Sequence, residues 1–269
     1  MKLLDNILGE GWQVTPAGGA TGEAYLAQYG DEKLFLKRNS SPFLAVLSAE
    51  GIVPKLLWTK RLENGDVITA QKWLPGRELK SHEMKQPRVA QMLYKIHRSS
   101  ELRRMLNRLG KKPLSPDVIY QDLLQKFENH HRRDVEVIRA LSYLAANKND
   151  LENVEKVVCH CDVNHNNWMF SEEGNLYLID WDGAVVADPA LDIGMLLYWY
   201  LPKDEWEEWL THYGLENTES LRHRMYWYVV AQTLLSIYWY DLKGLNGEVE
   251  FWKKDLENLN HYRLIDTDQ

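Results

Sequence analysis

The segment Val157–Phe170 reads VVCHCDVNHNNWMF. It packs two cysteines, two histidines, one aspartate and three asparagines beside apolar runs. Such a set could cage a metal, run a thiol–disulfide couple or handle a phosphate. Zinc fits poorly. Cys159, His160 and Cys161 are adjacent at the end of a β-branched run, and adjacent strand residues point to opposite faces. A tetrahedral zinc site draws its ligands from spaced pairs, and the chain offers no second pair. Redox chemistry fits less well, because Cys-x-Cys is not the Cys-x-x-Cys of a dithiol couple.

Phosphoryl transfer fits better once the following residues are included: HCDVNHNNWMFSEEGNLYLIDWDGA. WMF and LYLI flank SEEGN, which predicts a hairpin. A turn centred between Glu173 and Gly174 pairs Trp168 with Ile179 and Phe170 with Tyr177. Asn167 then faces Asp180, with Cβ atoms ~5 Å apart. An amide oxygen and a carboxylate at that spacing suit Mg²⁺, which takes a few oxygen ligands and completes its shell with phosphates. Asp162 lies in a polar loop and can face the same mouth. His160, Asp162, Asn167 and Asp180 thus match the parts of kinase-type phosphoryl transfer. Asp162 would accept the proton of a substrate hydroxyl. Asn167 and Asp180 would hold the metal, and His160 would brace the loop. The plainer reading is a polar hairpin with ordinary turn residues. Single Asp and Asn residues are common in loops; all four at this spacing around a hairpin are not.

Such a site needs a nucleotide clamp. PAGGATGEAYLAQYGDEKLFLKRN offers Gly18, Gly19, Thr21 and Gly22 as a turn that lets backbone N–H groups approach phosphates. The turn is neither a Walker A sequence nor a strict G-x-G-x-x-G. Lys37 ends the apolar strand LFLK and shares a face with Phe35 by alternation. On the cleft face, Lys37 would reach the α- and β-phosphates and Phe35 would border the adenine. Otherwise Lys37 is a solvated lysine at a strand end.

The elements that must position these residues are legible in outline. AYLAQY and KLFLKR flank GDE, and KLLWTKRL and VITAQKWL flank ENGD, which predicts two hairpins. SPFLAVLSAEG between them predicts a short helix, with Ser41 as N-cap, Pro42 at its first position and Gly51 as its stop. After LPGREL the pattern turns helical over Met84–Asp150. Short strands return over Val154–Asp182, and helix resumes from Asp188. The expected plan is α+β: a small β-rich lobe over residues 1–75, a connector at 72–77, and a mostly helical lobe over residues 76–269 with one embedded hairpin.

The 269 residues are 45% hydrophobic and 26% charged, with a net charge of −7, the balance of a globular chain and not of a general nucleic-acid or membrane binder. Two cysteines make no disulfide framework and suit a reducing cytoplasm. MKLLDNILGEGW lacks a signal-peptide core. Met225–Tyr240 is uncharged but shorter than the ~20 residues of a spanning helix, which predicts a buried helix.

The ordered set of glycine loop, Lys37, LPGREL, HCDVNHNN and LIDWDGA resembles the aminoglycoside phosphotransferase and choline kinase group. HCDVNHNNWMF is similar to that group's H-G-D-x-H-x-x-N loop, IDWDGA to its I-D-W/F-E/D-x-A segment, and DPALDIG to the D-P-x-x-D that follows. The resemblance covers about residues 10–200 and implies a bilobal protein-kinase-like fold, ATP, Mg²⁺ and γ-phosphoryl transfer to a small-molecule hydroxyl. Over its length the chain looks most similar to the CcrZ/YtmP branch of Gram-positive bacteria. That branch implies a ribosyl or nucleoside-type acceptor, cell-cycle or division proteins as partners, and recruitment to the division site.

Two departures stand out. Cys161 occupies a glycine position of the loop. The family also places a Glu within the helix after the lysine strand, to pair with the lysine. SPFLAVLS has none, so either Glu50 reaches back from the helix end or Lys37 is held differently. The missing Glu keeps open a nucleotide-binding regulator that works through partners. Choline or an amino sugar is the other acceptor class, since Trp199, Trp206, Trp209, Trp227 and Trp239 could box a cation or pack in the core. The basic stretch 97–112 is a solvated helix or a face for an anionic partner.

Overall fold

The computed structural model describes residues 7–18, 23–128, 134–151 and 154–266. Its first layer is an antiparallel sheet of β1 (Gln13–Gly18), β2 (Ala24–Tyr29), β3 (Glu32–Arg38), β4 (Leu56–Arg61) and β5 (Val67–Lys72), in the order β1-β2-β3-β5-β4. Both expected hairpins are present, β2–β3 and β4–β5. Gly30 and Gly65 take φ of +56° and +90° in their turns, where a Cβ would be strained. Alternation sends Leu34 and Leu36 into a small core with Ala27, Ile68 and Ala70. Phe35 and Lys37 therefore lie on the opposite face.

The short helix α1 (Phe43–Ala49) forms, starting one residue later than expected with Pro42 at its N-cap. The Ser41 hydroxyl accepts the Phe43 amide, and Gly51 at φ +66° ends the helix. Its packing is less expected. Phe43, Leu47, Ile52 and Val53 join the core of the helical region, not that of the sheet.

The helical region runs through α2 (Pro87–Arg98), α3 (Ser100–Arg108), α4 (Pro116–Phe127), α5 (Val135–Asn147), α6 (Ala190–Tyr200), α7 (Trp206–Tyr213), α8 (Glu219–Leu242) and α9 (Asn246–Asp266). Ser99, Ser115, Asp134 and Thr218 each accept amides of a first turn through the side chain. Met225–Tyr240 lies within α8, whose Met225, Trp227, Tyr228 and Leu234 are buried; Trp239 is exposed. No helix among the described residues is long and apolar enough to cross a membrane.

Two small sheets frame the site. One is β6 (Gly76–Glu78), β8 (Trp168–Ser171) and β9 (Leu176–Leu178); the other is β7 (Val157–Cys159) with β10 (Val185–Ala187). The region thus holds more than the one hairpin expected. Its β10 follows the Asp182 turn and returns along β7, with Val185 opposite Cys159. Two loops, 160–167 and 179–184, each cross from one small sheet to the other and so lie side by side.

The β8–β9 register differs from expectation. Trp168 pairs with Leu178 and Phe170 with Leu176, a shift of one residue. The Ser171 amide bonds the Asn175 carbonyl, the Gly174 amide bonds the Ser171 carbonyl, and Gly174 has φ +88°. This is a three-residue loop closed by a glycine bulge, not a two-residue turn. Asn167 therefore sits opposite Ile179, whose amide bonds its carbonyl at 2.8 Å, and not opposite Asp180.

Candidate active site

His160 joins the two loops. Its Nδ1 accepts the Asp162 amide at 3.2 Å, so Nε2 carries the proton and donates to the Ile179 carbonyl at 2.9 Å. The ring packs edge-on against Trp181, centroids 4.6 Å apart. Burial holds the imidazole below its ordinary pKa, outweighing nearby carboxylates that pull it up, so it is a neutral brace. One ring thereby ties the residue before Asp180 to Asp162.

Asp162 is exposed at the mouth. The Asn167 amide nitrogen donates to its Oδ2 at 2.9 Å and to its carbonyl at 2.8 Å. Asn164 donates to Oδ1. The carboxylate is aimed by two amides. With its nitrogen committed, Asn167 has its amide oxygen left for another partner.

Asp180 leaves the strand conformation just past β9, with φ of +65°. Its Oδ1 lies 3.9 Å from Lys37 Nζ across the cleft. Lys37 Nζ bonds Asp182 Oδ2 at 2.9 Å. Phe35 is half-buried on the Lys37 face of β3, and Gly18 ends β1. Gly19, Thr21 and Gly22 lie outside the described residues.

Glu50 does not reach Lys37 in this structure. Its carboxylate accepts the Ser99 hydroxyl at 3.1 Å, and its carbonyl takes the Lys95 ammonium. Its position at the end of α1, turned towards α2 and α3, explains this. Of the two arrangements open to the sequence, Lys37 is the one held differently.

Beneath the loops lies the second acid of DPALDIG, buried and given no role by the sequence alone. Asp192, on α6, accepts the His160 amide at 2.7 Å and the Cys161 amide at 2.9 Å. His97 Nε2 lies 3.1 Å from the same carboxylate, and His97 Nδ1 lies 2.6 Å from the Tyr213 hydroxyl. The two amide bonds hold Cys161 at φ +67°, a conformation costing a non-glycine residue about 1–2 kcal/mol. That explains why the resembling pattern has glycine here. The signal for His97 was available: Val89, Leu93 and His97 recur at helical spacing on a buried face. Asn164 is a further departure, standing where the H-G-D-x-H-x-x-N pattern has its second histidine. It caps the turn 165–167 through its side chain. His165 bonds the Tyr200 hydroxyl through both its amide and Nδ1, each at 3.0 Å.

Zinc and redox readings of the cluster gain nothing. Burial raises both thiols well above their ordinary pKa, and Cys159 Sγ donates to the Asp188 carbonyl. The buried groups His97, Cys159 and Asp192 lie close together, but the histidine and carboxylate are committed to hydrogen bonds. The donors at the mouth are an amide oxygen and carboxylates, an all-oxygen set that fits Mg²⁺.

The profile of the phosphotransferase enzyme family (APH) matches residues 13–228. The chain belongs to this family. Its class is the small-molecule phosphotransferases, as the order of motifs implied. Its fold is that of solved kinases. The choline kinase LicA from Streptococcus pneumoniae is 20% identical over 97% of each chain, with a TM-score of 0.72. The GDP and kanamycin complex of APH(2")-IIia is 14% identical over 97% of this chain and 98% of that one, with a TM-score of 0.71. A thermostable mutant of aminoglycoside phosphotransferase APH(4)-Ia is 17% identical over 97% and 98%, with a TM-score of 0.70. The α+β, protein-kinase-like expectation holds.

Proposed function

We propose that this chain is an ATP- and Mg²⁺-dependent kinase that moves the γ-phosphoryl group to a hydroxyl of a small ribosyl or nucleoside-type acceptor. The transfer reading is supported by two pairs, Asp162 with Asn167 in one loop and Asp180 with Lys37 beside the next, the two loops being joined by His160. Asp162, held by Asn164 and Asn167, orients the acceptor hydroxyl and takes its proton. Transfer through a loose transition state asks for orientation more than for a strong base. Lys37 projects from the sheet into the mouth, where it meets the phosphates. Asn167 and Asp180 would hold Mg²⁺, whose charge neutralises the phosphate oxygens.

Family neighbours that include a choline kinase support a second acceptor class. Trp199 and Trp252, candidates for an aromatic box, pack edge to face with centroids 5.2 Å apart and lie half-buried against the helical core. The cell-cycle role rests on the branch resemblance alone. Its test is co-purification of division proteins with the tagged chain.

The direct experiment follows ATP consumption over riboses, nucleosides, choline and aminoglycosides, with Asp162→Ala beside wild type. The variant should keep the fold and lose about 10²–10⁴-fold in rate. A rate within about tenfold of wild type would sink the assignment, being less than a general base supplies. Consumption stimulated only by choline would move the acceptor to the second class.

A further inference from the structure

We propose that Asp182 is the residue that positions Lys37, in place of the acid that α1 lacks. This rests on the kinase reading above.

The strand lysine needs a fixed partner, because a free ammonium on a four-carbon stem samples many rotamers. The helix after β3 cannot supply one. Phe43–Ala49 contains no acid, and Glu50 is taken by Ser99. Nor can α1 turn to offer another residue. Phe43 is locked in the larger core, with its ring edge-on to Trp181 at 5.7 Å, and the Ile52 carbonyl bonds the Leu178 amide.

The partner comes instead from the loop after β9. Trp181 is a buried peg, with Nε1 bonded to the Leu178 carbonyl at 2.7 Å and its face against His160 and Phe43. The residues on either side, Asp180 and Asp182, emerge together towards Lys37, at 3.9 and 2.9 Å. Two carboxylates around one ammonium leave a surplus negative charge. A divalent cation drawn by that surplus would engage Asp180 and leave Asp182 on the lysine. One ammonium hydrogen bonded to Asp182 leaves two for phosphate oxygens. The pair is half-exposed, with the lysine 25% and the aspartate 62% accessible, so it contributes little to stability and its value is placement.

Mg²⁺-free ADP binding, followed by tryptophan fluorescence in chelator, separates this role from metal ligation. Removing an anion near phosphates should by itself tighten nucleotide binding; losing a positioned lysine should weaken it. Asp182→Asn should weaken Mg²⁺-free ADP binding about fivefold, a coupling of the size expected for a charge pair in contact. Adding Asp182→Asn to Lys37→Met should change affinity by less than about twofold, since the partner is already gone. Asp182→Glu should restore part of the affinity. Unchanged or tighter binding by Asp182→Asn, a defect seen only when Mg²⁺ is present, or losses that multiply in the double variant would each overturn the proposal. Wild type that binds no ADP would overturn the kinase reading, and this with it.

Discussion

One buried carboxylate, Asp192, holds the backbone of the loop 160–167. It fixes the His160 and Cys161 amides and so sets where Asp162 emerges. Asp192→Ala would strand two buried N–H groups and the His97 ring, costing about 3–5 kcal/mol. A fall of that size in unfolding free energy, read from a lower denaturant midpoint at unchanged slope, checks it. His160 gives a pH signature. Its folded pKa lies below the ordinary 6.5, so below about 6.5 the unfolded chain binds the extra proton and the folded chain resists it. The stability this group contributes is complete above that pH and is lost as pH falls through the folded value. His160→Gln should show a shallower fall than wild type as the pH drops below about 6.5, a difference read from paired unfolding curves. The sequence pointed to His160 as a brace. It could not show Asp192 in its role, because an acid inside an apolar helix becomes informative only when its amide partners are in view.

At the level of elements, α6 carries Asp192 and lies close against α8 through Gly194. A Cβ there would meet the Met225 carbonyl at 2.9 Å and its Cα at 3.2 Å, both backbone. Gly194→Ala should therefore force the helices apart and destabilise by about 1–3 kcal/mol. It should also lower the rate of transfer, because Asp192 moves with α6. Thermal unfolding and turnover measured together test both parts. Hairpins and helices were legible because turn residues and periodicity are local signals. The β8–β9 register was not, since SEEGN accommodates either a two-residue turn or a three-residue loop with Gly174 as its bulge. The partner of Lys37 was out of reach for another reason: 145 residues separate it from Asp182, and only folding brings them together.

For the molecule as a whole, the line between sheet and helical region does not follow the chain. Sequence composition changes after residue 75, yet α1 is packed into the larger core from within the first segment. Among the described residues, the core of the sheet holds only Ala27, Leu34, Leu36, Ile68 and Ala70 as buried apolar side chains. Regions with little burial open at lower free energy. Amides of β1–β3 should therefore exchange hydrogen faster than those of α6 and α8, while α1 exchanges with the helices. Slow exchange of β3 matching α8 would refute this. The chain's two cysteines add a practical consequence, since Cys159 and Cys161 flank His160, the brace of the loop 160–167. Cys159 is buried and Cys161 half-buried, and desolvation raises both thiols well above their ordinary pKa. Cys159 should therefore escape alkylating reagents at neutral pH while the chain is folded, so the slow appearance of its adduct would clock the opening of this loop region with no label added by design.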